Sequence, residues 1–373
     1  MKFIMKRISI FLIVFLLFNI PVFAQTQLQP YLYNAKRFAN ERKYAEAIDE
    51  ISKAIFIEPN EIGLYLIRAD YYRKSKNTQA FQTDIDTAIS IVNKEIEADS
   101  KNAKLYLKRA NINYFAGNKS AVSEDVKTAI SLNPNDFEIL RGSRRQLTSL
   151  GDYEESLKIA NKIIELNNSN PFDFHSRSNI KKNLKDFHGA VEDGIKTLEL
   201  TDMGMQLFAL YDIYQILKTE LQNDENLLSY YERILVILDK RAVDSYNATP
   251  QMNNQVSQNT IKVRRETSFR EVMQILKICI ELYLKKGMLD KADELIAQIT
   301  KYEPKDLSQK FSNEMELKQK VFKLIIRGDS FLARKQYEKA IDDYQAAIIL
   351  NNSEEAHRKL FQAIQLKVEA ESK

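Results

Sequence analysis

The chain has 373 residues, with 55 Lys and Arg, 51 Asp and Glu, and a single Cys. One Cys allows no intrachain disulfide, so stability has to come from buried apolar surface. Nine Gly and seven Pro are together about a third of ordinary usage, which argues against turn-rich sandwiches and barrels and for helices joined by short turns.

The N-terminus is basic at Lys2, Lys6 and Arg7, then almost wholly apolar from Ile8 to Ile20. Pro21 interrupts the run, and Val22-Phe23-Ala24 ends in a small residue before the polar Gln25-Thr26-Gln27. That order predicts a secretory signal peptide over residues 1–24, cleaved after Ala24. The run is shorter than the ~20 residues that a membrane span needs, and no Cys follows it to carry a lipid. The expectation is an exported protein, periplasmic or secreted, without a membrane span after cleavage. Removing the three N-terminal bases leaves 52 bases against 51 acids. A near-neutral chain gives no support to a nucleic-acid partner.

Beyond the signal, the sequence repeats. Asp152-Tyr153 and Asp186-Phe187 lie 34 residues apart, as do Gly117 and Gly151, and Leu132 and Leu166. Apolar and small residues recur with them. The first copy has Tyr31, Ala35, Phe38, Tyr44, Ala47, Ala54 and Pro59, and the last has Leu324, Gly328, Phe331, Tyr337, Ala340, Tyr344 and Ala347. On these residues and this period the chain resembles the tetratricopeptide repeat family. Seven copies align, starting near residues 28, 62, 103, 137, 171, 273 and 321.

The resemblance implies an all-α fold, a right-handed superhelical solenoid of antiparallel helix pairs. Small residues at repeat positions 8, 20 and 27 let two helices approach, and large ones fill the space between them. Gly near position 15 suits a turn at positive φ. The chain departs from the family in having no Trp and in a longer spacing, 41 residues, between the second and third copies.

Residues 203–239 read as a degenerate helix pair, with Leu207, Leu210, Tyr211, Tyr214 and Leu217 on one apolar face. Leu227, Leu228, Tyr231, Ile234, Leu235 and Leu238 form the next. Residues 245–267 turn polar and lose periodicity, which predicts a linker. The expected organisation is an array over 25–244, a linker over 245–267 and a C-terminal pair of repeats with a capping helix over 268–373. The cap is expected to have a polar outer face.

Four copies carry Arg at repeat position 7 and Asp at position 23: Arg68 with Asp84, Arg109 with Asp125, Arg177 with Asp193, and Arg327 with Asp343. Copies without the Arg lack the Asp. The expectation is a structural ion pair within each hairpin, two-pronged because guanidinium and carboxylate are both planar.

No catalytic constellation is legible. His175, His188 and His357 are scattered, Cys279 sits among apolar residues, and no phosphate-binding or nucleophile motif occurs. No metal or cofactor is expected. The family resemblance implies instead that a concave groove, lined by first-helix positions 2, 5, 9, 12 and 13, binds a partner protein. Through five copies those positions include seven bases, Lys36, Arg73, Lys74, Lys104, Arg141, Arg145 and Lys182, against Asp70 and Glu138. Asn111, Tyr114, Phe115, His175 and Asn179 complete the expected groove. The chaperone-binding carboxylate clamp of some relatives is not reproduced, because Leu32, Lys36 and Ile67 depart from it. The functional expectation is a non-enzymatic interaction module of the cell envelope that binds an extended, acidic segment of a partner. The alternatives are a structural spacer in an envelope complex and a helical enzyme with an unrecognised site.

Overall fold

A computed structural model describes residues 22–201, 203–247, 255–299 and 309–372. The predicted signal peptide lies outside the described residues up to residue 21. Among the described residues there are seventeen helices and no strand.

Two compact units divide between Ser169 and Asn170. The first contains α1 (Val22–Asn40), α2 (Tyr44–Ile57), α3 (Ile62–Lys74), α4 (Thr78–Ala98), α5 (Ala103–Ala116), α6 (Lys119–Leu132), α7 (Phe137–Leu150) and α8 (Tyr153–Leu166). Consecutive helices pair as hairpins, and each hairpin leans on the next. The second unit opens with the hairpin α9 (Pro171–Asn183) and α10 (Phe187–Leu200), followed by α11 (Met203–Thr219) and α12 (Leu227–Asn247). It continues through α13 (Gln255–Lys285), α14 (Leu289–Gln298), α15 (Gln309–Ala333), α16 (Tyr337–Asn351) and the terminal α17 (Glu354–Glu371).

The turn inside each of the seven copies is the same structure. Position 15 has positive φ every time, whether it is Gly117 (83°), Gly151 (82°) and Gly287 (73°) or Arg42 (62°), Lys76 (63°), Lys185 (62°) and Lys335 (59°). The next residue then reaches back to the carbonyl of position 11, as in Asn118 N–H to Asn113 at 2.8 Å and Asp186 N–H to Lys181 at 2.9 Å. This closes the first helix with a Schellman turn. Where that residue is Asn or Asp it also caps the second helix: Asn77, Asn118, Asp152 and Asp186 each accept an N–H from three residues on. One residue therefore ends one helix and starts the other.

The small positions are where the hairpins close. Ala35, Ala69 and Ala110 at position 8, Ala47, Ala190 and Ala340 at position 20, and Ala54, Ala88, Ala129 and Ala347 at position 27 are fully buried. Gly328 is held tighter still: a Cβ there would lie 2.6 Å from the Tyr344 ring.

Three expectations need correction. The chain does not divide at a linker over 245–267. Residues 255–267 are helical within α13, and α12 packs against α13 in one core with Tyr231, Ile234, Leu238, Leu276 and Ile280. Residues 255–267 are polar but hold no Gly or Pro, and their Gln, Lys, Arg and Glu residues are good helix formers; residues 248–254 lie outside the described residues. The fifth hairpin, α9–α10, belongs to the second unit rather than to one array with the first four.

The degenerate copy is also not a hairpin of α11 with α12, since α11 packs on α10 and α12 pairs with α13. The buried stripe of α11 is Gln206, Ala209, Ile213, Ile216 and Leu217, while Leu207 and Tyr211 face outward. Gly194 of α10 sets that rotation, because a Cβ there would stand 2.6 Å from Ile213. A buried polar junction ties α11 to the next pair. Gln206 donates to Glu271 of α13 and accepts from Arg241 of α12 at 2.8 Å. Burial raises the Glu271 pKa above its ordinary value.

The third correction concerns α17. Its inner side buries Ala356 and Ala363, but its outer face carries exposed Phe361, Ile364 and Val368. The polar cap expected from the sequence is thus only partly polar.

The positive-φ turn makes a direct test. Gly151→Ala meets no neighbour, so its cost is backbone strain alone, ~1 kcal/mol in urea unfolding. Lys185→Gly, at the equivalent position with strain already present, should be neutral or stabilising.

Candidate functional site

The four Arg–Asp pairs are formed, each joining the first and second helix of one hairpin. Arg68 donates to Asp84 through Nε at 2.9 Å and Nη2 at 2.7 Å. Arg177 does the same to Asp193 at 2.8 and 2.7 Å, and Arg327 to Asp343 at 2.7 and 2.5 Å. Arg109 grips Asp125 at 2.6–3.1 Å, and Asn113 adds a bond to the same carboxylate at 3.4 Å. The Asp side chains are almost fully buried and the Arg side chains partly exposed.

In two copies the Arg also reaches the preceding hairpin. Arg68 Nη1 donates to Ser52 at 2.9 Å and Arg109 Nη1 to Asn93 at 2.7 Å. The guanidinium then bridges three helices. In three copies it lies over the aromatic ring one turn earlier, Tyr65, Tyr106 or Phe174, at 5.6–5.7 Å. The first copy has a version without the guanidinium, in which the Asn34 amide donates to the Glu50 carboxylate at 3.2 Å. All of these are bonds of the scaffold, and they hold the first-helix face in register.

On that face, α3, α5 and α7 of the first unit run side by side. Arg73 of α3 sits over the Phe115 ring of α5 at 4.7 Å, and Phe115 meets Phe81 with ring centres 6.0 Å apart. Lys104 of α5 pairs with Glu138 of α7, and Asn111 of α5 accepts from Gln146 of α7. Tyr114 is half-buried beside them. Leu107 presses on Gly142, where a Cβ would be 2.7 Å from its Cδ1.

The basic lean read from the sequence is largely matched by acids within the chain. Arg73 and Lys74 both converge on Asp70, which is buried, with Lys74 Nζ 2.5 Å from Asp70 Oδ2. Lys104 is engaged by Glu138. Arg141 lies over Phe137 at 5.3 Å, and Lys36 and Arg145 are exposed. The reason is spacing. Position 9 of the second copy stands one turn from positions 12 and 13, so a single carboxylate there reaches two bases.

In the second unit, α9 carries His175, Asn179 and Lys182. Asn179 Nδ2 donates to the His175 carbonyl at 3.1 Å and lies 3.2 Å from its Nε2. Asp212 of α11 stands 3.9 Å from His175 and 3.8 Å from Lys182. Burial lowers the His175 pKa, with Asp212 opposing it. Asp212 was missed in the sequence because α11 matches no repeat position.

The same two helices expose Phe172 (62%), Leu207 (52%), Phe208 (69%) and Tyr211 (64%). No signal in the sequence marks them, since Leu207 and Tyr211 fit a core face equally well. The remaining candidates for chemistry are engaged elsewhere. His188 is 2.9 Å from the Tyr230 hydroxyl and 3.2 Å from Asp224. Burial pushes the Cys279 thiol up to about 12, which keeps it protonated.

These features repeat one hairpin, with one turn and one ion pair, seven and four times over. The chain has the tetratricopeptide fold. No family model matches the chain, and no curated protein matches it. Solved structures do resemble it. The tetratricopeptide protein YrrB, described as having an unusual peptide-binding site, shares 17% identity over 49% of this chain and 90% of its own, with a TM-score of 0.30. A thermophilic tetratricopeptide protein of Thermus thermophilus shares 12% over 51% and 99%, with a TM-score of 0.32. The C-terminal part of a repeat-containing protein from Cytophaga hutchinsonii shares 18% over 66% and 95%, with a TM-score of 0.36. The fold assignment rests on the chain's own geometry.

A double-mutant cycle tests the recurring clamp. Arg109→Ala leaves Asp125 buried without its main partner and should cost about 2–4 kcal/mol. Asp125→Ala should cost a similar amount. The double variant should cost less than their sum by at least ~1 kcal/mol in urea unfolding, and additive effects would reject the coupling.

Proposed function

We propose that this protein is a non-catalytic binding module that holds a segment of a partner protein against its first-helix face. The observation that carries the reading is the group of Phe172, Leu207, Phe208 and Tyr211. They are four large apolar side chains more than half exposed on α9 and α11, two helices bridged through Asp212. Uncovered apolar surface rimmed by polar groups marks interaction sites, and aromatic side chains supply most anchors in interfaces. Lys182, His175 and Asp212 form the polar rim here.

The acidic character of the partner, drawn from the seven bases of the sequence, becomes secondary. Asp70 and Glu138 take up much of that charge inside the chain, so apolar contact leads and electrostatics orient. Placement in the cell envelope is part of the same reading and rests on residues 1–24.

Capture from envelope extract tests it, using the wild-type protein, Phe208→Ala/Tyr211→Ala, and Lys182→Glu. The reading expects a specific partner retained by the wild type, lost with the aromatic pair, and weakened several-fold by the charge reversal. A partner held equally by all three would place the binding surface elsewhere.

A further inference from the structure

The terminal helix α17 leaves one face uncovered. Ala356 and Ala363 on its inner side are fully buried among residues of α15 and α16. Opposite them Phe361, Ile364 and Val368 are 73%, 43% and 58% exposed. His357 and Glu371 are exposed as well, and the five residues recur at intervals of four, three, four and three. That is a single seam of the kind that pairs two helices. An exposed apolar seam of this kind calls for an occupant.

We propose that the occupant is α17 of a second copy, lying antiparallel about a two-fold axis near Ile364. Charge along the seam selects it. The N-terminal part carries Glu354, His357 and Arg358, and the C-terminal part carries Glu369 and Glu371; in an antiparallel crossing Glu354 falls beyond the partner's last turn. The two acids stand at the negative end of the helix dipole, and the last turn holds no base. An antiparallel crossing brings Arg358 of each copy beside Glu371 of the other and sets Phe361 against Val368. A parallel crossing would place like charges together. Asp329 holds Lys359 at 2.5 Å, and Glu338 holds Lys367, which also stands 3.8 Å from Glu371. A two-fold contact of one patch with itself closes as a dimer and does not propagate into a filament. The contact is independent of the α9–α11 face.

Sedimentation velocity on the purified full chain, from about 1 to 100 µM, reads the outcome. The wild type should dimerise within that range. Phe361→Asp and, separately, Ile364→Asp should be monomers with unchanged helical circular dichroism; both positions are exposed, and either variant suffices if the other folds poorly. Arg358→Glu should raise the dissociation constant by roughly tenfold, and adding Glu371→Arg in the same chain should restore it. A wild type that stays monomeric throughout, or a dimer that survives both Asp variants, would overturn the proposal. So would a charge-reversed pair that fails to recover.

Discussion

A helical hairpin has two apolar flanks and can cover only one with its own partner helix, so it needs a neighbour. This constraint explains why small side chains stand fully buried where helices close on one another. Ala47, Ala54, Ala88, Ala110 and Ala129 sit where helices come closest, and all are fully buried. Around them the larger Tyr, Phe, Leu and Ile residues fill what the close approach leaves. The Arg–Asp clamp works within the same frame. It brings a charged pair into a half-buried place where each partner satisfies the other, and in Arg68 and Arg109 it extends to the hairpin before. Its contribution is the register between helices, because burial of the Asp makes any other arrangement costly.

Much of this was legible in the sequence because it recurs. A period of 34 residues, an Arg sixteen residues before an Asp, and a Gly or a base at each turn are all visible as repetition. The turn shows how far that reaches. Arg42, Lys76, Lys185 and Lys335 take the same positive φ as the three glycines, so position in the repeat overrode residue preference. Where repetition stops, legibility stops. The outward turn of Leu207 and Tyr211 depends on Gly194 and Ile213 meeting on a neighbouring helix. The polar start of α13 looks like a linker only until α12 is placed beside it. Charge in the groove is only partly legible for a related reason: position by position the bases stand out, while Asp70 and Asp212 act across turns and across helices.

The scaffold uses its charges mostly on itself. Arg73, Lys74, Lys104 and Lys182 each face an acid of the same chain, and the four clamps take up four more bases. Large apolar side chains stand uncovered on the described surface, among them those of the α9–α11 face and of α17. On the proposed reading, that uncovered surface is what a partner segment would meet.

Hydrogen exchange on an overpacked variant tests the stacking most directly. Ala129→Leu enlarges a fully buried closure of α6, at a cost of about 1–3 kcal/mol. If hairpins depend on their neighbours, amide protection should fall in α5 and α7 as well as in α6. Loss confined to α6, with α5 and α7 protected as in the wild type, would contradict the account.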